Sequence, residues 1–131
     1  MKIAADTNVL VRAVVRDDKM QAEVAAKVLR NASLVAVAVS SLCEFVWVLR
    51  GKYRLPPAEV AAAIRALLAA GNVEVDRLAV EAGLALLDAG GDFSDGVIAY
   101  EGRWLGAETF VSFDKKAVEM LKGQGVSARL L

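Results

Sequence analysis

Short apolar segments alternate with longer amphipathic ones along this 131-residue chain, and that alternation restricts the fold more than any other feature. Apolar bursts bounded by polar or turn residues predict strands at Lys2–Ala5, Leu34–Val39, Val73–Val75, Thr109–Ser112 and Ser127–Leu130. The gaps between them read as helices. Over residues 19–31, Asp18 stands at the capping position with Gln21 as its reciprocal partner, and Glu23 and Lys27 form an i,i+4 pair. Over residues 57–70, Pro57 fits the first turn, Val60, Ile64, Leu67 and Leu68 make one apolar face, and Gly71 ends the helix. Further helices are expected over 77–89, 94–105 and 114–122, with Gly90-Gly91 breaking the chain after the first. Strands alternating with helices imply crossover units and an α/β fold around a mostly parallel sheet of about five strands. The length is that of one domain, spanning residues 1–131. Sheets of this kind bind ligands beyond the carboxyl ends of their strands, so that edge is where chemistry is expected.

Composition removes several kinds of chemistry. The chain has no histidine and one cysteine, Cys43. Imidazole acid–base catalysis, Ser-His-Asp and Cys-His nucleophiles, Cys-rich or His-ligated zinc and an internal disulfide framework are all excluded. Any hydrolysis must use carboxylates, hydroxyls, lysines or a metal held by oxygen. No apolar run reaches the roughly 18 residues of a membrane span, and Asp6 follows too closely on Lys2 for a secretory leader, so a cytoplasmic protein is expected. The formal net charge is zero. Nine Lys/Arg against five Asp/Glu occupy residues 1–54, however, and seven against eleven occupy residues 55–131. A nucleic-acid surface would therefore be local.

Four acids fall at the expected edge. Asp6 follows the first strand, Asp114 follows Thr109-Phe110-Val111-Ser112-Phe113, Asp95 opens a helix, and Glu44 is expected in the first turn after strand 34–39. Acids at helix starts also serve as caps. Ser41-Leu42-Cys43-Glu44 fits a capping box, Asp92 fits a cap with Asp95 three residues on, and Asp114 fits a cap of the last helix. Two features favour chemistry. Glu44 lies in Leu42-Cys43-Glu44-Phe45-Val46-Trp47-Val48-Leu49, a helix apolar nearly all round and expected to be buried, where a carboxylate needs a partner. Asp6 stands between two apolar stretches. Carboxylates gathered at one edge repel each other. A hard divalent cation such as Mg²⁺ or Mn²⁺ relieves that repulsion, and metal-assisted phosphodiester hydrolysis is the chemistry it supports.

Those residues carry a family resemblance. Asp6-Thr7-Asn8-Val9-Leu10-Val11-Arg12 resembles the opening motif of PIN-domain nucleases. Ser40-Ser41-Leu42-Cys43-Glu44-Phe45-Val46-Trp47-Val48-Leu49 resembles their second-acid helix, Asp92-Phe93-Ser94-Asp95-Gly96-Val97-Ile98-Ala99 the third-acid segment, and Ser112-Phe113-Asp114-Lys115 the fourth. Order and spacing are similar over essentially the whole chain, most of all to toxins of the VapC type from prokaryotic toxin–antitoxin pairs. The resemblance implies a three-layer α/β/α fold and a Mg²⁺- or Mn²⁺-dependent endoribonuclease. Asp6, Glu44 and Asp95 would bind metal, Asp114 would assist, and Thr7, Asn8 and Ser112 would support them. It also implies a homodimer and inhibition by a cognate antitoxin. Two positions depart from the usual pattern: Ser112 stands where Thr is common, and Gly96 where Ala is common. Arg12, Arg16, Arg50 and Lys115, with Lys19, Lys52, Arg54 and Lys116, are candidate contacts for RNA phosphate or antitoxin. Trp47 and Trp104 are candidate base-stacking residues, with Trp47 better suited to the core or a dimer interface. Cys43 reads as a small buried hydrophobe.

Rival readings weaken on single positions. A haloacid-dehalogenase-type phosphatase needs an acid at position 8, where this chain has Asn8, and a phosphoacceptor receiver needs an acidic pair after its first strand. A PIN nuclease of RNA processing without an antitoxin, and a PIN-like module that binds RNA or a partner without cutting, both stay open.

Overall fold

A computed structural model describes residues 1–131. Its elements are β1 (Lys2–Ala4), α1 (Thr7–Val15), α2 (Lys19–Asn31), β2 (Leu34–Ala36), α3 (Val39–Gly51), α4 (Pro57–Ala69) and β3 (Val73–Glu74), then α5 (Arg77–Asp88), α6 (Phe93–Trp104), β4 (Phe110–Ser112), α7 (Lys115–Gly123) and β5 (Ala128–Leu130). The chain forms two compact units, residues 1–76 and 77–131.

In the first unit, β1 pairs with β2 and β2 with β3, all parallel, with Ile3 opposite Val35 and Val35 opposite Val73. The helix pairs α1–α2 and α3–α4 are the crossovers between successive strands, as parallel pairing requires. Leu10, Val35, Leu42, Phe45, Leu49, Val60 and Ile64 are its main buried side chains. In the second unit, β4 and β5 pair in parallel across α7, with Val111 opposite Arg129. Leu86, Ala99 and Leu121 form its core, with Phe110, Met120, Val126 and Ala128 packed against them. The fold is thus helix-rich α/β with five strands and only parallel pairing, as expected, but the strands hydrogen-bond as separate ladders of three and two.

Residues 7–15, in a gap read as helical, form a helix of their own, started by Asp6, whose Oδ1 accepts from the Thr7 amide at 2.8 Å. Arg16 ends it in the left-handed conformation, at φ 57°, and the chain turns into Asp17-Asp18. The strand expected over 34–39 stops at Ala36, and α3 begins at Val39 behind Ala38, which offers no side-chain cap. Glu44 is therefore the sixth residue of α3, beyond the first turn, and the Ser41–Glu44 capping box does not form.

Other local readings hold. Asp18 accepts from the Gln21 amide at 3.0 Å, Asp92 from the Ser94 amide at 3.0 Å, and Asp114 from the Ala117 amide at 3.1 Å, so each caps its helix. Pro57 sits in the first turn of α4. No helix is long and apolar enough to cross a membrane.

In the second unit, α5 and α6 approach closely at two glycines. A methyl at Gly96 would lie 2.4 Å from the Ala82 carbonyl oxygen and 2.9 Å from Gly83 Cα, and one at Gly83 would lie 2.6 Å from the Phe93 ring. Gly96, the departure noted at the position after Asp95, is thus where one helix backbone rests on the other.

Candidate functional site

The acids form a group in each unit. In the first, β1 delivers Asp6 to the start of α1, so its carboxylate is set by the first turn of that helix. Thr7 follows, 8% exposed and the one buried polar residue of the chain. Its hydroxyl donates to Glu44 Oε2 at 3.0 Å and lies 3.4 Å from the Ser41 carbonyl oxygen. One threonine thereby links both acids, through its amide to Asp6 and through its hydroxyl to Glu44.

They open into a cavity of about 360 Å³ along the seam of α1 and α3, lined by Asp6, Thr7, Asn8, Val11, Arg12, Glu44, Val48, Lys52 and Tyr53. Glu44 is exposed rather than carried inward. The apolar helix α3 buries Leu42, Phe45, Val46 and Leu49 and turns Glu44 outward. Trp47 is also outside the core, 77% exposed, and Cys43 is partly buried.

At the far end of the cavity, Arg12 Nη1 donates to Asp17 Oδ1 at 2.7 Å and to the Tyr53 hydroxyl at 3.4 Å, while that hydroxyl donates to Asp17 Oδ2 at 3.1 Å. The hydrogen bond to Tyr53 and the charge of Asp17 both favour the guanidinium form of Arg12. Desolvation opposes ionisation of Asp17, but Tyr53 and Arg12 outweigh it and hold its carboxyl below the usual range. Tyr53 and Asp17 carry no signal in the sequence; only the fold brings them to Arg12.

In the second unit, Asp95 lies in the first turn of α6, behind the Asp92 cap. Burial raises its pKa, and the negative charges of Asp92 and Asp114 raise it further. Asp114 caps α7, and its own amide donates to Ser112 Oγ at 2.9 Å, so the serine hydroxyl fixes the turn that presents it.

Within neither unit do three carboxylates converge as a ready-made metal cluster. The donor chemistry nonetheless suits Mg²⁺ or Mn²⁺. Only hard oxygens are offered, and Mg²⁺ is commonly held by one or two carboxylates together with water and substrate phosphate. Carboxylates that raise each other's proton affinity, as Asp92 and Asp114 do for Asp95, are also those whose repulsion a cation relieves.

The remaining basic candidates lie outside this cavity. Arg50 donates to the Leu55 carbonyl at 2.9 Å and closes its own loop. Arg16, Lys19, Arg54, Lys115 and Lys116 are exposed. Trp104 is exposed on α6, with its indole N–H bonded to the Tyr100 hydroxyl.

The family model described as PIN domain matches residues 3–121, which include all four acids. The chain belongs to the PIN-domain family. A PIN domain is a nuclease fold, and such domains characteristically cut RNA with the help of Mg²⁺ or Mn²⁺. A comparison with curated proteins finds no match. For this PIN-domain chain the match spans every element from β1 into α7 and stops short of β5.

Proposed function

We propose that this chain is a Mg²⁺- or Mn²⁺-dependent endoribonuclease, the toxin of a type II toxin–antitoxin pair of the VapC type. In this reading Asp6, Glu44, Asp95 and Asp114 carry the reaction. The observation that supports it most is the double hydrogen bond of Thr7, which orients Asp6 and Glu44 in one cavity. An exposed acid held by a buried hydroxyl is poorly explained as surface charge. The cation, when bound, stabilises charge on the phosphoryl oxygens.

The chain's own residues do the rest. Asp6 and Glu44 supply oxygen ligands, and Thr7 restrains both. Asn8 adds an amide to the same wall. Water would form the new P–O bond in line with the departing sugar oxygen, whose bond to phosphorus breaks and which takes up a proton from solvent. With no histidine in the chain, the water's proton passes to a carboxylate or to solvent. The substrate is single-stranded or structured RNA such as transfer RNA. A cognate VapB-like antitoxin, a homodimer, a cytoplasmic location and a single domain over residues 1–131 belong to the same proposal. Exposed Trp47 is an apolar side chain of the kind that a second copy or an antitoxin would cover.

The test is cleavage of a folded RNA pool, transfer RNA included, by the purified chain with Mg²⁺, with Mn²⁺ and with chelator. Metal-dependent cuts at a few sites are expected, and Asp6→Asn and Asp95→Asn should abolish them. Variants that cut as fast as the parent refute the site. A parent, verified free of antitoxin by mass, that cuts nothing under any metal refutes the enzyme.

A further inference from the structure

The cavity that holds Asp6 and Glu44 has an opposite end, and that end is cationic. α1 and α3 both run away from the carboxyl ends of parallel strands. Each places an acid nearer its start and a base at its finish: Asp6 then Arg12 on α1, Glu44 then Lys52 on α3. Six residues separate the first pair and eight the second, about 9 and 12 Å of helix axis. Val11 and Val48 lie between and give the cavity an apolar section. Along the helix axes the cations thus stand about two turns from the acids, and no ion pair joins the two ends.

Arg12 is also held rigidly for a partly exposed arginine. Asp17 and Tyr53 both bond its Nη1, and Lys52 Nζ lies 5.4 Å from the Tyr53 ring centroid. The backbone sustains this arrangement at a cost. Only two non-glycine residues in the chain have positive φ, Arg16 at 57° and Arg54 at 55°. The first directly precedes Asp17 and the second directly follows Tyr53. Left-handed residues of this kind each cost roughly 1 kcal/mol or more and cluster where a side chain must be aimed. An acidic peptide would pair with the cations but be repelled by Asp6 and Glu44. A polyanion whose phosphates repeat along a strand, one of them neutralised by a divalent cation, suits both ends.

We propose that Arg12 and Lys52 form a subsite for a backbone phosphate of the RNA flanking the one that is cut, with Asp17 and Tyr53 as positioning residues that hold Arg12 toward it. The proposal rests on the nuclease reading of the same cavity. Because Arg12 is already tethered, it binds phosphate with less loss of side-chain freedom than a free surface arginine.

The test uses the full chain and a short single-stranded RNA. Steady-state cleavage is measured with Mn²⁺, and binding in chelator is followed as a function of salt. Lys52→Gln is the cleaner variant; Arg12→Gln is its companion; Lys122→Gln, outside the cavity, is the control. Each cavity variant should raise KM about fivefold with kcat within about twofold. Each should also flatten the log Kd against log salt slope by about 0.7. Tyr53→Phe should raise KM about threefold without changing kcat. KM values and slopes equal to those of the parent and the control in both Lys52→Gln and Arg12→Gln overturn the subsite. If the parent cuts no RNA, the nuclease reading falls, and the salt slopes still decide whether these two cations meet phosphate.

Discussion

Replacing Gly96 by alanine tests the contact that sets Asp95 in place. In an open helix this change gains about 1 kcal/mol of helix propensity. Here the new methyl would sit 2.4 Å from the Ala82 carbonyl oxygen and 2.9 Å from both Ala82 C and Gly83 Cα. Those are backbone atoms of α5, so no side-chain rotation relieves the clash. Restoring ordinary contact at 3.4 Å or more requires the helices to part by about 1 Å. Overpacking of this kind costs about 3 kcal/mol at the upper end of its usual range, which leaves a net loss of about 2 kcal/mol. Gly102 lies on the same helix, where a methyl meets only the Ala107 Cβ at 3.8 Å. Gly102→Ala should therefore stabilise by about 0.5–1 kcal/mol. In urea unfolding the two variants should move in opposite directions, with the midpoint of Gly96→Ala falling by about 1 M and that of Gly102→Ala rising by a fraction of that. A Gly96→Ala variant as stable as the parent, beside a stabilised Gly102→Ala, would refute the claim that this backbone contact is limiting.

Three further outcomes follow from the site. Asp95 has a raised pKa from burial and from the charges of Asp92 and Asp114, so the folded state binds its proton more tightly than the unfolded chain. Its contribution to stability is then fully present below about 3.8 and is lost as pH rises through the folded value; Asp95→Asn should make the urea midpoint less sensitive to pH across that window, and an unchanged pH profile would count against the burial. Asp114→Ala should lose about 1 kcal/mol with the α7 cap, whereas Asp114→Asn keeps the cap and should lose only RNA cleavage, a split that paired thermal melts and cleavage assays detect. Thr7→Val should leave stability within about 1.5 kcal/mol and lower kcat about 10- to 100-fold by releasing Glu44; a parental kcat would show that the Thr7–Glu44 bond is idle.

What the sequence disclosed follows the range of the interactions involved. The caps at Asp18, Asp92 and Asp114 bond to amides two or three residues ahead, so local spacing reveals them. The end of β2 was hidden because Val37-Ala38-Val39 continues an apolar pattern into a helix whose cap position is a bare alanine. α1 falls in a gap read as helical, but its bounds carry little local signal, because Asp6 bonds only its immediate neighbour and the helix ends at a left-handed arginine where a glycine would have marked the stop. Asp6, Asp95 and Asp114 were legible as strand ends and helix starts, but Glu44 lies past the first turn of α3 and both its place and its orientation were misread. A nearly continuous apolar run gave no phase from which to tell its wet face. The Arg12–Asp17–Tyr53 cluster spans 41 residues from Arg12 to Tyr53, and no local pattern reports a contact of that length.

The capping bonds of Asp6 and Asp114 bear on how an inactive copy of such a chain would age. Each of these aspartates has a scaffolding duty independent of any reaction, and serine or asparagine would perform it about as well. A lineage released from catalysis would still be held to that small set of cap formers at positions 6 and 114. Glu44 caps nothing, and ionising Asp95 works against the fold. Once activity stopped mattering, no capping bond would hold those two in place. In the proposed reading, the acids at 44 and 95 are therefore more informative markers of an active copy than an aspartate at 6 or 114, which a capping duty alone can preserve.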